Sequence, residues 1–147
     1  MPAHQDSLDP VKVKLQQARV ARLATTGPDG RPHVVPICFV YDGFHFYSAV
    51  DLKPKRSGSR NLARLRNIES QPQVALVVDE YQEDWDGLWY VLVRGRARLL
   101  KESEVDVRRK ALSLLRKKYP QYQSGFLPED APLIQITPER ISSWGRF

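Results

Sequence analysis

The chain has 147 residues, 41% hydrophobic and 27% charged, and its 23 lysines and arginines against 17 acidic residues give a net charge of +6. This composition excludes a disordered chain, and the length predicts a single domain over residues 1–147. No apolar window of about eighteen residues and no apolar N-terminal leader are present, so we expect a cytoplasmic protein without membrane contact. The single cysteine, Cys38, cannot form an intramolecular disulfide, and we expect it to be a small core residue.

In chain order, the sequence first predicts a short helix over residues 11–18 and a strand over residues 19–26. The turn residues Gly27-Pro28-Asp29-Gly30 predict a hairpin to a second strand, residues 32–41. Asp42-Gly43 predicts a tight turn to a third strand, residues 44–50. These three strands are expected to form a meander.

The second half of the chain continues with a basic loop and a short helix from about Arg60, in which apolar residues recur at helical spacing. Strands follow at residues 73–79 and 87–100, with an acidic connection between them. The next expected elements are a helix over residues 103–119 with Ser103 as N-cap, and a last pair of strands at residues 133–137 and 140–144. Six or seven short strands joined mostly by turns predict a mainly β fold, an antiparallel barrel with helices outside it.

The usual signatures of catalysis are missing from the sequence. It has no glycine-rich phosphate loop, no His-Glu-x-x-His and no Gly-x-Ser-x-Gly. The three histidines, His4, His33 and His45, do not have the spacing of metal ligands. The sequence therefore predicts neither a catalytic side chain of these classes nor a metal site.

The net charge comes from one segment. Six basic residues and no acid lie between residues 53 and 66, namely Lys53, Lys55, Arg56, Arg60, Arg64 and Arg66. A solvated basic surface and a site for a phosphate or carboxylate both fit this pattern. A nucleic-acid surface fits less well, because the aromatic residues of an RNA-binding sheet are missing and the acidic connection would repel a polyanion. We therefore expect no nucleic-acid partner.

Several segments in a fixed order carry a resemblance to a known family. They are residues 19–26, residues 29–36, Phe46-Tyr47-Ser48, the basic segment with Arg60-Asn61-Leu62, and residues 89–97. Together they resemble the pyridoxamine-phosphate-oxidase-like split β-barrel flavoproteins, and within them the branch thought to use the deazaflavin coenzyme F-420. The resemblance implies a six- to seven-stranded split β-barrel with two to three peripheral helices. It also implies a homodimer with cofactor sites between the two barrels.

The resemblance also implies which residues bind the cofactor. The second strand would lie beside its ring, Ser48 and Val50 would line the inner wall, and the basic segment would hold the phosphate and any polyglutamate tail. Trp89 would cover the ring or substrate from the partner subunit, or serve as an ordinary barrel aromatic. The full set is His33, Val34, Val35, Pro36, Ile37, Ser48, Val50, Lys53, Lys55, Arg56, Ser57, Arg60, Asn61 and Trp89.

The implied function is that of an F-420-dependent oxidoreductase that reduces a conjugated or heteroaromatic small molecule. Because the cofactor carries the hydride, no catalytic side chain is needed, although His33 or a water is a candidate proton donor. F-420 is favoured over FMN because its longer anionic tail matches six basic residues. Two alternatives stay open: an FMN-dependent oxidase or reductase, and a non-enzymatic protein that binds a flavin, a deazaflavin or haem.

Overall fold

The structure is a computed structural model that describes residues 9–51 and 62–147. In these residues seven strands form one antiparallel sheet that curls into a half-barrel, accompanied by three α-helices. The strands are β1 (Ala21–Thr26), β2 (Pro32–Ile37), β3 (Val40–Tyr41), β4 (Phe46–Ala49), β5 (Gln73–Glu80), β6 (Trp89–Leu99) and β7 (Leu133–Gly145). The helices are α1 (Pro10–Gln17), α2 (Ala63–Ser70) and α3 (Val105–Lys118). The predicted mainly β split barrel is confirmed.

The strand order in the sheet is β2-β1-β5-β6-β7-β4-β3. Alternate residues of β1, β5 and β6 are buried, as expected for strands with one face toward a core. Their inward side chains, such as Leu23, form one apolar cluster with Phe39 and Phe46. A second cluster, which includes Leu112, Leu115 and Leu133, fills the space between the sheet and α3.

The second predicted strand, residues 32–41, is divided in the structure. Its first part, β2, pairs with β1, and its last part, β3, pairs with β4 at the other end of the strand order. Cys38 and Phe39 carry the chain from one edge to the other, so the predicted three-strand meander is wrong. The backbone at this crossing is satisfied by a side chain: the Phe39 N–H donates to the Tyr119 hydroxyl at 3.0 Å.

The predicted last pair of strands is instead the single long strand β7. It pairs with β6 along its length and, through residues 133–136, with β4 on its other side. The prediction placed a turn at Pro138 and Glu139. In the structure β7 continues through these residues, and its pairing with β6 shifts in register between Arg94 and Gly95. Gly95 lies opposite Pro138, where a Cβ atom would collide with the Thr137 carbonyl oxygen.

The third helix begins two residues later than predicted. Glu104 rather than Ser103 is its N-cap. The Glu104 carboxylate accepts hydrogen bonds from the Lys101 N–H at 2.7 Å and from both terminal nitrogens of Arg98 at 2.8 and 2.9 Å. Arg98 in turn donates through Nε to the Gln135 side chain at 2.9 Å. This chain of contacts connects the start of α3 to β6 and β7.

These contacts predict a pH-dependent contribution to stability. Hydrogen bonds from Arg98 and from the Lys101 backbone lower the pKa of Glu104 from 4.5 to about 2. A carboxyl group whose pKa is lowered by folding stabilises the native state above its unfolded pKa, and the effect disappears as pH falls toward the folded value. We expect Glu104→Gln to lower Tm at pH 7 and to make progressively less difference between about pH 4.5 and pH 2. Thermal melts of wild type and variant across this pH range test the prediction, with Glu102→Gln at an exposed position as control. A difference in Tm that does not change with pH would contradict it.

Candidate functional site

A pocket opens where the chain crosses between the sheet edges. Its volume is about 240 Å³, and it is built from the ends of β2 and β4, the residue before β1, and α2. The lining residues are Val20, Pro36, Ile37, Cys38, Ser48, Ala49, Asp51 and Arg64. The wall is apolar along β2 and becomes charged where Asp51 and Arg64 meet it.

Three of the predicted cofactor-binding residues lie in this pocket. Pro36 and Ile37 come from the end of β2, and Ser48 from β4. The Ser48 hydroxyl donates to the Cys38 carbonyl oxygen at 2.8 Å, which connects the two walls. Val50 is next to this region but is buried in the core, and its N–H donates to the Pro132 carbonyl at 2.9 Å. The structure therefore brings together residues of the second and third predicted strands.

The other predicted residues of β2 lie away from the pocket. Burial alternates along this strand, so that His33 and Val35 face the core side while Val34 and Pro36 face outward. Val34 is 62% exposed. His33 pairs with Thr25 near the hairpin, four residues from Ile37, and its buried Nδ1 has no hydrogen-bond partner in the described part of the chain. One ligand in the pocket would therefore contact only the end of β2.

Trp89 is part of the core. It is 6% exposed, its Nε1 donates to Glu80 at 2.9 Å, and its ring packs against Phe147 with centroids 5.7 Å apart. It does not line the pocket. The sequence suggested two roles for Trp89, a cover over the ring or substrate and an ordinary barrel aromatic. Its contacts within this chain are those of a barrel aromatic.

The remaining predicted residues belong to the basic segment. Lys53, Lys55, Arg56, Ser57, Arg60 and Asn61 lie outside the described residues. The segment is bounded by Asp51 and Leu62, and both its flanks reach the pocket region through Asp51 and Arg64. Its assignment as the phosphate-binding segment stays a prediction.

Sequence reasoning missed an interacting set of charged and polar residues at the pocket. Asp51 is 6% exposed, and the Tyr122 hydroxyl donates to its Oδ2. Arg64 is half-buried, and its buried Nε has no hydrogen-bond partner among residues 9–51 and 62–147. Burial lowers the pKa of Arg64, an effect that the negative charge of Asp51 opposes. Arg64 is therefore a cation in the pocket wall whose Nε–H has no acceptor among these residues.

These residues differ in how visible they were from the sequence. Arg64 belongs to the basic run, and Asp51 is the first charged residue after the third predicted strand. Tyr122 comes from a short 3₁₀ turn after α3, about seventy residues farther along the chain, and nothing local signals its contact with Asp51. Cys38, expected in the core, is half-buried and lines the pocket because the chain leaves the sheet there.

A second, larger groove lies on the outer face of the sheet. It has a volume of about 410 Å³ and runs across β1, β5 and β6. Its polar lining residues are Thr25, Thr26, Gln73, Arg94 and Glu139. Exposed apolar side chains occur on the same face: Val34 on β2, and Tyr90 on β6 stacked against Trp144 on β7 at 5.7 Å. This face is thus partly apolar.

Within residues 9–51 and 62–147, no three histidine, cysteine or acidic side chains are grouped so that they could hold a metal ion.

None of the helices in the described part of the chain is long and apolar enough to cross a membrane.

Solved structures similar to this one share its fold. An FAD-binding protein from Mesorhizobium loti is 28% identical, with a TM-score of 0.65 over 93% of this chain and 90% of the other. An F420 reductase is 24% identical, with a TM-score of 0.60 over 89% and 94% of the two chains. The haem storage protein HutZ from Vibrio cholerae is 19% identical, with a TM-score of 0.70 over 94% of each. The names of these proteins refer to different ligands, although their fold is the same. The structural similarity therefore identifies the fold of this chain and does not identify its ligand.

Sequence comparison extends this result to the family. No curated protein matches the sequence. The family model for pyridoxamine 5'-phosphate oxidase, however, matches residues 9–145, which is nearly the whole chain. The match includes every strand of the sheet and every residue that lines the pocket. The chain therefore belongs to the pyridoxamine 5'-phosphate oxidase family.

Proposed function

We propose that this protein is an oxidoreductase that uses the deazaflavin coenzyme F-420 as hydride donor to reduce a conjugated or heteroaromatic small molecule. The observation that carries the proposal is the pocket between the ends of β2 and β4. Pro36, Ile37 and Ser48, selected from the sequence as cofactor contacts, lie there together.

The chemistry of the pocket fits a flat ring with an anionic side chain. Pro36, Ile37 and Ala49 offer apolar surface for a ring system. Arg64 offers a desolvated guanidinium, which suits a phosphate or carboxylate. The basic segment, with Lys53, Lys55 and Arg56, adjoins the charged end of this wall in sequence. A neutral apolar ligand would leave the unpartnered Nε–H of Arg64 without an acceptor among the described residues.

When bound, F-420 supplies the hydride, so the protein has to orient the cofactor and exclude water. The apolar side chains of β2 and β4 exclude water from the ring. The hydrogen bond from Ser48 to the Cys38 carbonyl fixes the two walls relative to each other. The Tyr122 hydroxyl fixes Asp51, so that the carboxylate keeps one position beside Arg64. F-420 is preferred to FMN because the five basic residues from Lys53 to Arg64 exceed what one phosphate needs.

The proposal includes a homodimer in which the second copy completes the site. A volume of about 240 Å³ is below the roughly 300–1,000 Å³ of pockets that enclose a whole cofactor or drug-sized ligand. One chain would therefore supply part of the site. The exposed apolar residues of the outer sheet face, Val34, Tyr90 and Trp144, offer a surface for the second copy.

Cofactor titration tests this proposal. We expect F-420 fluorescence to be quenched saturably by the purified protein, with an affinity that falls as salt rises because charged groups supply part of the binding. Tight FMN binding without F-420 binding would support the FMN alternative instead. Binding of F-420 or haem without turnover of any acceptor would support the non-enzymatic alternative. Sedimentation of a monomer at the same protein concentration would contradict the shared site.

A further inference from the structure

Two positive side chains lie near the pocket with no acidic partner among the described residues. Lys118, the last residue of α3, is half-buried; its Nζ donates to the Phe39 carbonyl at 3.0 Å and lies 4.1 Å from the centroid of the Phe39 ring. Arg19 donates to the carbonyl oxygen of Lys118. Both cations also lie near the Tyr119 ring, at 5.4 Å for Lys118 Nζ and 5.7 Å for the Arg19 guanidinium carbon.

The charge of this pair is not neutralised within the described chain. No ion pair of residues 9–51 and 62–147 includes Arg19 or Lys118. The carbonyl groups at the end of α3 supply a partial charge of about −0.5, against two full positive charges. Desolvation and the charge of Arg19 lower the pKa of Lys118 to about 8. Lys118 is half-buried and Arg19 is exposed, so an anion from solvent can reach the pair and supply the missing negative charge.

The pair adjoins the candidate site through the backbone. Arg19 directly precedes Val20, and Lys118 contacts the carbonyl of Phe39, which directly follows Cys38. Val20 and Cys38 both line the pocket. Donors remain for a ligand, because Lys118 uses one of its three N–H groups on Phe39 and Arg19 uses one terminal nitrogen on Lys118.

We propose that Arg19 and Lys118 form a binding site for the carboxylate or phosphate group of a small-molecule substrate at the Val20–Cys38 edge of the pocket. The proposal rests on the proposed function for the identity of this pocket as the reaction site. It adds a substrate class, an acceptor that carries an anionic group. The anion of the substrate is distinct from the phosphate of the cofactor, which is assigned to Arg64 and the basic segment.

Chemical labelling of Lys118 tests the site without relying on activity. The protein is acetylated with acetic anhydride at pH 8, and the rate at each lysine is measured by peptide mass spectrometry. Inorganic phosphate or benzoate should slow labelling of Lys118 at least about fivefold, because a bound anion raises the pKa of the amine and covers it. Exposed Lys117 is the internal control, and sodium chloride of equal ionic strength controls for screening. Arg19→Gln should remove the protection.

Equal effects of the anions on Lys118 and Lys117, or full protection in Arg19→Gln, would overturn the proposal. Labelling is then repeated with FMN and with riboflavin, which lacks the phosphate. Protection by benzoate that persists in FMN-loaded protein supports a substrate site. Protection by FMN but not by riboflavin would overturn it, because the pair would then bind the cofactor phosphate. Failure of the proposed function is read separately, as absence of F-420 binding to the wild-type protein.

Discussion

Replacing Arg64 by Gln should weaken the binding of FMN and F-420 by about ten- to a hundredfold, and leave the binding of their phosphate-free forms nearly unchanged. Arg64 lines the pocket, is half-buried, and has a buried Nε without a partner among the described residues. A hydrogen bond to a charged group is worth about 1.5–3 kcal/mol, and each 1.4 kcal/mol is a factor of ten in affinity. Riboflavin and the deazaflavin–ribitol lack the phosphate that Arg64 would contact, so the substitution should not change their binding.

The measurement is a fluorescence titration of each ligand pair with wild-type protein, Arg64→Gln and Arg66→Gln. Arg66 is the matched control because it lies on the same helix, carries the same charge, is exposed, and does not line the pocket. If Arg64→Gln and Arg66→Gln weakened FMN and F-420 binding equally, the loss of affinity would come from the change in net charge alone. If Arg64→Gln weakened FMN and riboflavin equally, Arg64 would not contact the phosphate. Unchanged circular dichroism spectra confirm that each variant is folded.

Replacing Tyr119 by Phe should destabilise the protein by about 2 kcal/mol. The Tyr119 hydroxyl accepts the buried N–H of Phe39 at 3.0 Å, and its own proton lies between the carbonyl oxygens of Arg19 at 2.8 Å and Phe39 at 3.0 Å. Removing it leaves a buried donor unsatisfied, which costs about 1–3 kcal/mol. Burial also raises the pKa of Tyr119 to about 12, so the hydroxyl stays protonated at neutral pH.

For a chain of this length, the loss corresponds to a decrease in Tm of roughly 4–8 °C. Thermal and urea unfolding measure this loss. Tyr81→Phe is the control, because Tyr81 is exposed and its hydroxyl donates to the exposed side chain of Glu83. A change in Tm equal to that of the control would show that water satisfies the Phe39 N–H. The destabilised crossing should also weaken ligand binding, since Cys38 and Ile37 next to it line the pocket.

Elements whose signals are local could be predicted from the sequence. The turn at residues 27–30, with Gly30 at φ +82°, and the alternation along β5 and β6 need no distant partner to be recognised. The fold class follows from their number and spacing. Pro36, Ile37 and Ser48 were selected because their segments resemble a family in sequence, and the structure places them in one pocket.

Strand ends that depend on hydrogen bonds from distant residues could not be predicted in this way. Residues 32–41 have the composition of one strand. The break at Cys38 and Phe39 is stable because the Tyr119 hydroxyl, eighty residues away, hydrogen-bonds the buried N–H and carbonyl of Phe39. Pro138 signals a turn, but a register shift opposite Gly95 keeps β7 continuous. Packing of the folded chain likewise brings together Asp51, Arg64 and Tyr122. The hydrogen bond from Arg19 to the Lys118 carbonyl connects two segments that are far apart in the chain. A contact between residues far apart in the chain leaves no local periodicity or motif, which is why these groups emerge only once the chain has folded.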